Sequence, residues 1–419
     1  MSELLDEMNA LGERLRRASQ KVRRASGATR TAALHALARG LRSNVVALLE
    51  TNGIDVDAAL ARGLQGSVLE RLRLTPERLE EMIRAVTDIA AQDDPVGEVT
   101  GLKVRPNGLR VGQMRIPLGV VGIVYEARPN VTTDAAALCL RSGNAVLLRG
   151  GSEAAATNTA LVEVVRAALL EVGLPEDAVS TLPSTDRAWV LEMLKAERWL
   201  DVVIPRGGEA LIRFVTEHAR VPVIKHYKGV CHIFVDRAAD LDMAIGVCVN
   251  AKAQRPGVCN AMETLLVHAE IAPRFLPRLA LEMEAASVSL RGCVRTREIL
   301  PNVDEANEED FYAEYLDLIL AVRIVDDLDA AIAHIETYGS DHTESILSQD
   351  QGAVTRFIEE VNSAVVMANA STRFADGGQL GLGAEIGIST TRLHAYGPMG
   401  AADLTTRKFI VYGSGQVRS

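Results

Sequence analysis

The sequence has few aromatic residues and few cysteines, and it lacks a long uncharged apolar run. Phe, Trp and Tyr make up 4% of the 419 residues, so aliphatic side chains must fill the cores. The five cysteines include no CxxC pair, which argues against a zinc site and against a disulfide framework. No stretch approaches the ~20 apolar residues of a membrane span. Reduced thiols, and an acidic N-terminus without a signal-peptide pattern, predict a cytoplasmic protein with no membrane partner.

An excess of basic residues is also missing. The formal net charge of −10 gives no reason to expect nucleic-acid binding. The basic residues between Arg14 and Arg24 alternate with Leu and Val at helical spacing, which a solvated helix face explains. No cluster of His, Asp and Glu suggests a metal. Hydrophobic content of 48% with 24% charged residues is ordinary for a globular protein of about two or three domains.

The first part of the chain changes its periodicity once. Residues 1 to about 92 predict helices, because apolar residues recur at spacings of three and four and Thr75 and Pro76 form a helix start. From 102 to 116 the period becomes two, and Asn107-Gly108 favours a hairpin turn. Since polar and apolar residues alternate in both strands, the hairpin is a candidate oligomerisation arm that lies partly outside the main core.

Residues 119 to 218 alternate between apolar strand-like runs and helical segments. Such β-loop-α repeats predict a doubly wound parallel sheet. Ligands bind such sheets at the carboxyl ends of the strands, which here means the loops 126–130, 149–152 and 205–208. None of these loops spells GxGxxG or a P-loop. Arg206-Gly207-Gly208 before a helix could hold a phosphate on the helix N-terminus, and a plain tight turn explains it equally well.

A second alternating series begins near Val221 and contains one cysteine in a turn. The apolar run 243–249 leads towards Pro256 and Gly257, which cannot continue a helix, and a strand follows from Thr264. Cys259 lies between them, where a side chain can be exposed and aimed. We therefore predict that Cys259 is a catalytic nucleophile, although a single cysteine in a turn is more often inert. Residues 302–313 predict an exposed connection, and the Gly-rich, aperiodic stretch 371–400 predicts a functional segment or lid.

Three motifs carry a family resemblance. They are Tyr125–Thr132, Val223–Gly229 and the long stretch Gly381–Gly400. Together they resemble the aldehyde dehydrogenase superfamily over nearly the whole chain, and within it the γ-glutamyl phosphate reductase family. The resemblance implies an α/β fold with two doubly wound parallel-sheet domains and a β-hairpin arm. Residues 1–101 and 117–230 would form the cofactor-binding domain, 231–400 the catalytic domain, and 102–116 with 401–419 the oligomerisation arm.

The resemblance also implies an activity. It is the NADPH-dependent reduction of L-glutamate 5-phosphate to L-glutamate 5-semialdehyde and phosphate, through a Cys259 thioester, in proline biosynthesis. Implied partners are further copies of the chain, in a homodimer or homotetramer, and glutamate kinase. Two alternatives stay open. One is an aldehyde-oxidising or CoA-dependent dehydrogenase of the superfamily, and the other is a non-catalytic partner of glutamate kinase.

The matched motifs imply roles for individual residues. Cys259 falls on the nucleophile and Asn130 on the asparagine that helps form the oxyanion hole. The implied cofactor residues are Arg149, Gly150, Ser152, Arg206, Gly207, Gly208 and Glu314. The substrate's phosphate or α-carboxylate could meet Arg128, Lys225, His226 and Lys228, for which surface charge is an equal account. Its amino-acid end could meet Glu385 and Ser389, for which a conformational role is an equal account.

One departure from the superfamily concerns the segment 225–229. Oxidising members carry a glutamate there that activates water to hydrolyse the thioester. This sequence has Lys225, His226, Tyr227, Lys228 and Gly229, without a carboxylate. A reductase that delivers hydride to its thioester gains nothing from a hydrolytic base, so the departure agrees with the implied direction of reaction.

Overall fold

The computed structural model describes residues 2–418, and the chain divides into two compact units. Unit 1 runs to Lys225 and also takes in Gly381–Ile388 and the chain from Pro398 onward. Unit 2 comprises His226–Leu380 and Ser389–Gly397. The catalytic domain predicted at 231–400 thus included residues 381–388 and 398–400, which the structure places in unit 1.

Unit 1 begins with the predicted helices. They are α1 Ser2–Arg24, α2 Gly27–Ser43, α3 Val45–Ala61, α4 Ser67–Leu72 and α5 Pro76–Ala91. Side chains cap two of them, since Ser26 accepts from Thr29 N and Thr75 accepts from Arg78 N. Pro76 occupies the first helical turn of α5, where its missing N–H costs nothing.

The predicted hairpin follows and is part of a three-stranded antiparallel sheet. Strands β1 Val99–Val104 and β2 Arg110–Pro117 flank a turn in which Gly108 has a φ of 82°, a backbone region that favours glycine. The C-terminal strand Thr405–Tyr412 pairs with all of β2, from Pro117 to Arg110. Exposed apolar side chains stand on this sheet, among them Val104 and Phe409 at 70% and 71% exposure. The hairpin prediction is confirmed.

A four-stranded parallel sheet forms the centre of unit 1. Its strands β3 Val120–Tyr125, β4 Ala145–Arg149, β5 Val179–Thr181 and β6 Val202–Arg206 lie in the order β5-β4-β3-β6. Every residue of β3 is buried, as its unbroken apolar run predicts. The connecting helices are α6 Pro129–Arg141, α7 Ala155–Glu171, α8 Arg187–Leu194 and α9 Glu209–His218.

Unit 2 is built on a seven-stranded parallel sheet with the order β10-β9-β11-β8-β7-β12-β13. The strands are β7 Cys231–Val235, β8 Met262–His268, β9 Ser289–Gly292, β10 Asp304–Glu305, β11 Ile319–Val325, β12 Thr343–Leu347 and β13 Val365–Ala368. The helices are α10 Leu241–Ala253, α11 Ala272–Ala285, α12 Val294–Ile299, α13 Glu308–Phe311, α14 Leu328–Tyr338 and α15 Gln351–Glu360. Two parallel sheets with helical crossovers and an antiparallel arm confirm the predicted fold class.

Unit 2 differs from the sequence prediction in two places. The predicted exposed connection 302–313 contains α13, whose Asp310 and Phe311 are buried, and a capping box between Asn307 and Asp310 starts that helix. Strand β12 was missed because Thr343, Glu344 and Ser345 make it polar. It is fully buried nevertheless, since Glu344 Oε2 accepts from His232 N at 2.7 Å and lies 3.0 Å from His232 Nδ1.

The Gly-rich stretch 371–400 is mostly irregular, as predicted. It contains two short strands, β14 Gly387–Ser389 and β15 Gly397–Met399, which form a two-stranded sheet. The C-terminal strand Thr405–Tyr412 is β16. Between residues 2 and 418, no helix combines the length and the apolar character that crossing a membrane requires.

Candidate active site

Cys259 lies in the turn that joins α10 to β8. Helix α10 ends at Ala253. Arg255 precedes Pro256, and helical backbone is disfavoured for a residue that precedes a proline, so the helix cannot extend further. Strand β8 then begins at Met262. Cys259 is half-buried, whereas burial in apolar surroundings raises the pKa of Cys139 and of Cys248. The turn therefore leaves the Cys259 thiol partly accessible, unlike the two core cysteines.

The backbone of Gly229 lies directly against Cys259. An ideal Cβ on Gly229 would come within 1.9 Å of the Cys259 carbonyl oxygen, so only glycine fits there. Gly229 N donates to Glu314 Oε1 at 2.8 Å, and Lys228 Nζ donates to the Tyr312 carbonyl at 2.7 Å. Three of the predicted site residues, Cys259, Lys228 and Glu314, are thus brought together within unit 2.

Arg373 is a cation beside Cys259 that the sequence analysis did not single out. Its Nε donates to Gln254 Oε1 at 2.9 Å, and its Nη1 donates to Asn260 Oδ1. Burial and the neighbouring Arg255 lower the pKa of Arg373, whereas Asp376 and the Cys259 thiol raise it. The guanidinium therefore joins Gln254 and Asn260, two residues that flank Cys259 in the turn. Its position within the Gly- and Ser-rich stretch after Ser371 was the only signal that could have found it.

A second thiol, that of Cys231, also contacts the cysteine turn. Cys231 Sγ donates to the Cys259 carbonyl at 3.2 Å and lies 3.5 Å from His342 Nδ1. The ring of His342 meets that of His226 edge-on, with centroids 5.8 Å apart. Burial raises the pKa of Cys231 well above its ordinary value. His342 therefore contacts both the Cys231 thiol and the ring of His226.

In unit 1, Asn130 belongs to a polar cluster around Asp134. Asn130 is exposed near the start of α6, and its Nδ2 donates to Asp134 Oδ2 at 2.9 Å. Arg206 Nη2 lies 3.4 Å from Glu385 Oε1. Burial, with a smaller contribution from Glu385, raises the pKa of Asp134 to about 7 against the lowering effects of Asn130 and Arg206. Three predicted residues, Asn130, Arg206 and Glu385, therefore share one electrostatic environment.

The strand ends of unit 1 carry the predicted cofactor residues. Arg149 ends β4, its Nη2 donates to the Thr185 carbonyl at 3.0 Å, and burial lowers its pKa. Gly150 follows it, where an added Cβ would come within 2.1 Å of Asn158 Nδ2. Ser152 opens a short 3-10 helix that leads into α7. This loop therefore presents an arginine and a tight, glycine-dependent turn at the carboxyl edge of the sheet.

A carboxylate lies on the amino end of α9. Gly208 is the N-cap of this helix, and its N–H donates to Glu126 Oε2 at 2.9 Å. An ideal Cβ on Gly207 would come within 2.6 Å of the same oxygen. The Arg206-Gly207-Gly208 turn therefore already holds a negatively charged group at the helix N-terminus, as the dipole of the helix favours.

The remaining predicted residues lie outside these clusters. Arg128 is the half-buried N-cap of α6, and Lys225 is the last residue of unit 1 before the chain enters unit 2. Ser389 Oγ hydrogen-bonds with the hydroxyl, the carbonyl and the N–H of Thr391, two residues further along the chain. In the part of the chain that the structure covers, 2–418, no three His, Cys, Asp or Glu side chains group as metal ligands would.

Comparisons with known proteins agree on one family. The sequence model of the aldehyde dehydrogenase family matches residues 6–311. The chain is 56% identical over 403 residues to a γ-glutamyl phosphate reductase of Geotalea daltonii, a match that covers 96% of each chain. It resembles the crystal structure of a γ-glutamyl phosphate reductase from Thermotoga maritima with a TM-score of 0.95 at 47% identity, over 99% of this chain and 100% of that one. An acetylating aldehyde dehydrogenase from Geobacillus thermoglucosidasius shares the fold, with a TM-score of 0.70 at 16% identity over 100% of this chain and 98% of that one.

Proposed function

Since the chain belongs to the aldehyde dehydrogenase family and, within it, to the γ-glutamyl phosphate reductases, we propose that it reduces L-glutamate 5-phosphate to L-glutamate 5-semialdehyde and phosphate. The reaction is a step of proline biosynthesis, and its hydride comes from NADPH. The observation that carries this proposal is the half-buried Cys259 in the α10–β8 turn, with Gly229 packed against its carbonyl and Arg373 bonded to the adjacent Asn260.

The chemistry starts at the Cys259 sulfur. Only the thiolate form of a cysteine attacks well, and Arg373 bonds Asn260, the residue that follows the nucleophile. Attack on the γ-carbonyl carbon forms the C–S bond of a thioester and breaks the C–O bond to phosphate, which leaves with the bonding pair. For the negative charge on the carbonyl oxygen we assign Asn130 as a donor, whose amide Asp134 already orients through one N–H. Collapse of the reduced intermediate releases the aldehyde and returns the thiol.

The segment from Lys225 to Gly229 lacks the residue type that would promote hydrolysis of the thioester. It contains no carboxylate that could act as a general base on water, and Lys228 is held by the Tyr312 carbonyl. A thioester that is not hydrolysed persists until it is reduced. This supports reduction of an acyl phosphate over oxidation of an aldehyde to a free acid.

The nicotinamide cofactor supplies the hydride, and the residues of the chain fit its parts. Gly208 N already donates to the carboxylate of Glu126, so a pyrophosphate at the amino end of α9 would replace one anion with another. Arg149, with Gly150 and Ser152 after it, would hold the adenosine ribose and the 2′-phosphate that distinguishes NADPH. Arg206 and Gly207 complete the pyrophosphate loop, and Glu314 would hold the nicotinamide ribose.

We assign the substrate's anionic groups to the basic residues Arg128, Lys225, His226 and Lys228, and its amino-acid end to Glu385 and Ser389. Unit 1 then supplies most of the cofactor residues, and unit 2 supplies Glu314 and the nucleophile Cys259. The exposed apolar side chains of the β1-β2-β16 sheet support an oligomerisation arm of a homodimer or homotetramer. A nucleophilic thiol that must stay reduced fits the cytoplasm, where glutamate kinase would supply the substrate.

The test is the reverse reaction of the purified chain with glutamate 5-semialdehyde. We expect reduction of NADP that requires inorganic phosphate and disappears in Cys259→Ala. Cys293→Ala is the matched control, because Cys293 is also half-buried in unit 2 but bonds Thr296. Activity with CoA in place of phosphate would show a CoA-dependent dehydrogenase. Activity that survives Cys259→Ala would contradict the mechanism, and a Cys259 inert to alkylation in an inactive chain would indicate a non-catalytic partner.

A further inference from the structure

A buried ion pair connects the two ends of the cysteine turn. Lys252, in the last turn of α10, donates from Nζ to Glu263 Oε2 at 2.5 Å, and both side chains are 0% exposed. Glu263 is the second residue of β8. Cys259 lies between the two in sequence, so the pair joins the segment that enters the turn to the segment that leaves it.

The same carboxylate holds a third segment. Glu263 Oε1 accepts from Leu316 N at 3.2 Å, and Leu316 adopts a φ of 52°, the left-handed region that non-glycine residues rarely occupy. Lys252 Nζ lies 5.7 Å from the centre of the Tyr315 ring. Glu314 precedes these two residues and binds Gly229 N, which lies against Cys259. One ion pair therefore ties the segment 314–316 to both sides of the turn.

The environment makes this pair costly. Burial lowers the pKa of Lys252, and burial together with the nearby Glu314 raises the pKa of Glu263 to about 7, against the lowering effect of Lys252. An apolar pair of similar volume would pack a helix against a strand at least as well. Apolar packing is not directional. The hydrogen bonds of Lys252 and Glu263 are directional, and they fix the turn and the 314–316 segment in one arrangement.

We propose that the Lys252–Glu263 pair is a positioning device that sets the geometry of the Cys259 turn against the Glu314 segment. The part that concerns Glu314 and the cofactor rests on the function proposed above, whereas the part that concerns the reactivity of the Cys259 thiol does not. Neither residue touches substrate or cofactor in this proposal.

The test uses the full chain with Lys252→Met and with the double variant Lys252→Met, Glu263→Gln. In the double variant the amide oxygen of residue 263 can still accept from Leu316 N, and no buried charge remains. Three quantities are measured: the rate of Cys259 alkylation by iodoacetamide, mapped by peptide mass spectrometry; the Kd of NADPH by fluorescence titration; and thermal stability. Where reductase activity is present, kcat and KM are added.

We expect Lys252→Met to lose stability and to slow Cys259 alkylation at least fivefold. The double variant recovers stability but keeps the slow alkylation, a weaker NADPH Kd and a kcat lowered by roughly 100-fold, the effect of about a 1 Å misplacement. Arg30→Met is the matched control. It breaks the ion pair of the buried Arg30 with the partly exposed Asp94 in unit 1, and is expected to lose stability without changing alkylation.

The proposal would be overturned if the double variant recovered its alkylation rate and its NADPH affinity along with its stability. The pair would then have a structural role only. If Lys252→Met does not fold, the double variant alone decides between these outcomes. An inactive wild-type chain would refute the proposed function, whereas the alkylation rates would still decide whether the pair positions the thiol.

Discussion

Replacing Gly229 by alanine should displace the nucleophile. An ideal Cβ at this position would lie 1.9 Å from the Cys259 carbonyl oxygen, about 1.1 Å short of the 3.0 Å that real Cβ atoms keep. The contact is with backbone, so no side-chain rotation can relieve it, and the Cys259 turn or the Gly229 segment must move by about that distance. A misplacement of about 1 Å costs on the order of 100-fold in rate. Overpacking should also destabilise the chain by about 1–3 kcal/mol.

The assay for Gly229→Ala is kcat for phosphate-dependent reduction of NADP, with unfolding followed by circular dichroism. Gly246→Ala is the control, since Gly246 is exposed within α10 and an added Cβ meets nothing within 4 Å. Alanine there should stabilise the chain by about 0.5–1 kcal/mol and leave kcat unchanged. A Gly229→Ala variant with kcat within threefold of wild type would refute the reasoning, because it would show that the turn relaxes without moving the thiol.

Two further predictions concern charged groups near the candidate site. Because the pKa of Asp134 is raised to about 7, the native state binds a proton that the unfolded chain releases near pH 4, so this group's stabilisation is lost as the pH rises to about 7. Between pH 5 and pH 8 the melting temperature of Asp134→Asn should decrease less than that of the wild type. Equal decreases would contradict the prediction. Arg373→Gln should slow Cys259 alkylation at pH 7 by roughly tenfold, because it removes the guanidinium that bonds Gln254 and Asn260 on either side of the nucleophile. Arg356→Gln, an exposed residue paired with Glu360, should leave that rate unchanged.

Much of the fold could be predicted because short-range patterns determined it. The unbroken apolar run of β3, the Asn107-Gly108 turn and the cap at Thr75 each depend on neighbours within a few residues. Family membership was predicted from three motifs, and the full-length relatives confirm it.

What could not be predicted depends on contacts between distant residues. Strand β12 is polar, and its burial makes sense only once His232, more than a hundred residues earlier, is seen to bind Glu344. Arg373 approaches the cysteine turn through Asn260, and Cys231 does so across a strand pair. Local periodicity carries no signal for such pairs. The roles of Asn130, Arg149 and Glu314 rest on the resemblance and stay predictions.

The pairing of β2 with β16 has a consequence for the order in which the chain can fold. Between the two strands lie the parallel sheet of unit 1 and all of unit 2, so β2 has only β1 as a neighbour while about 290 residues are synthesised. Asn144 Nδ2, which donates to the Leu404 carbonyl, likewise lacks this acceptor until Leu404 has been synthesised. Unit 2 is almost continuous in sequence and can form its sheet on the ribosome. Unit 1 completes its antiparallel sheet only after β16 has left the ribosome, and a chain truncated before Thr405 would leave β2 as an open edge prone to association.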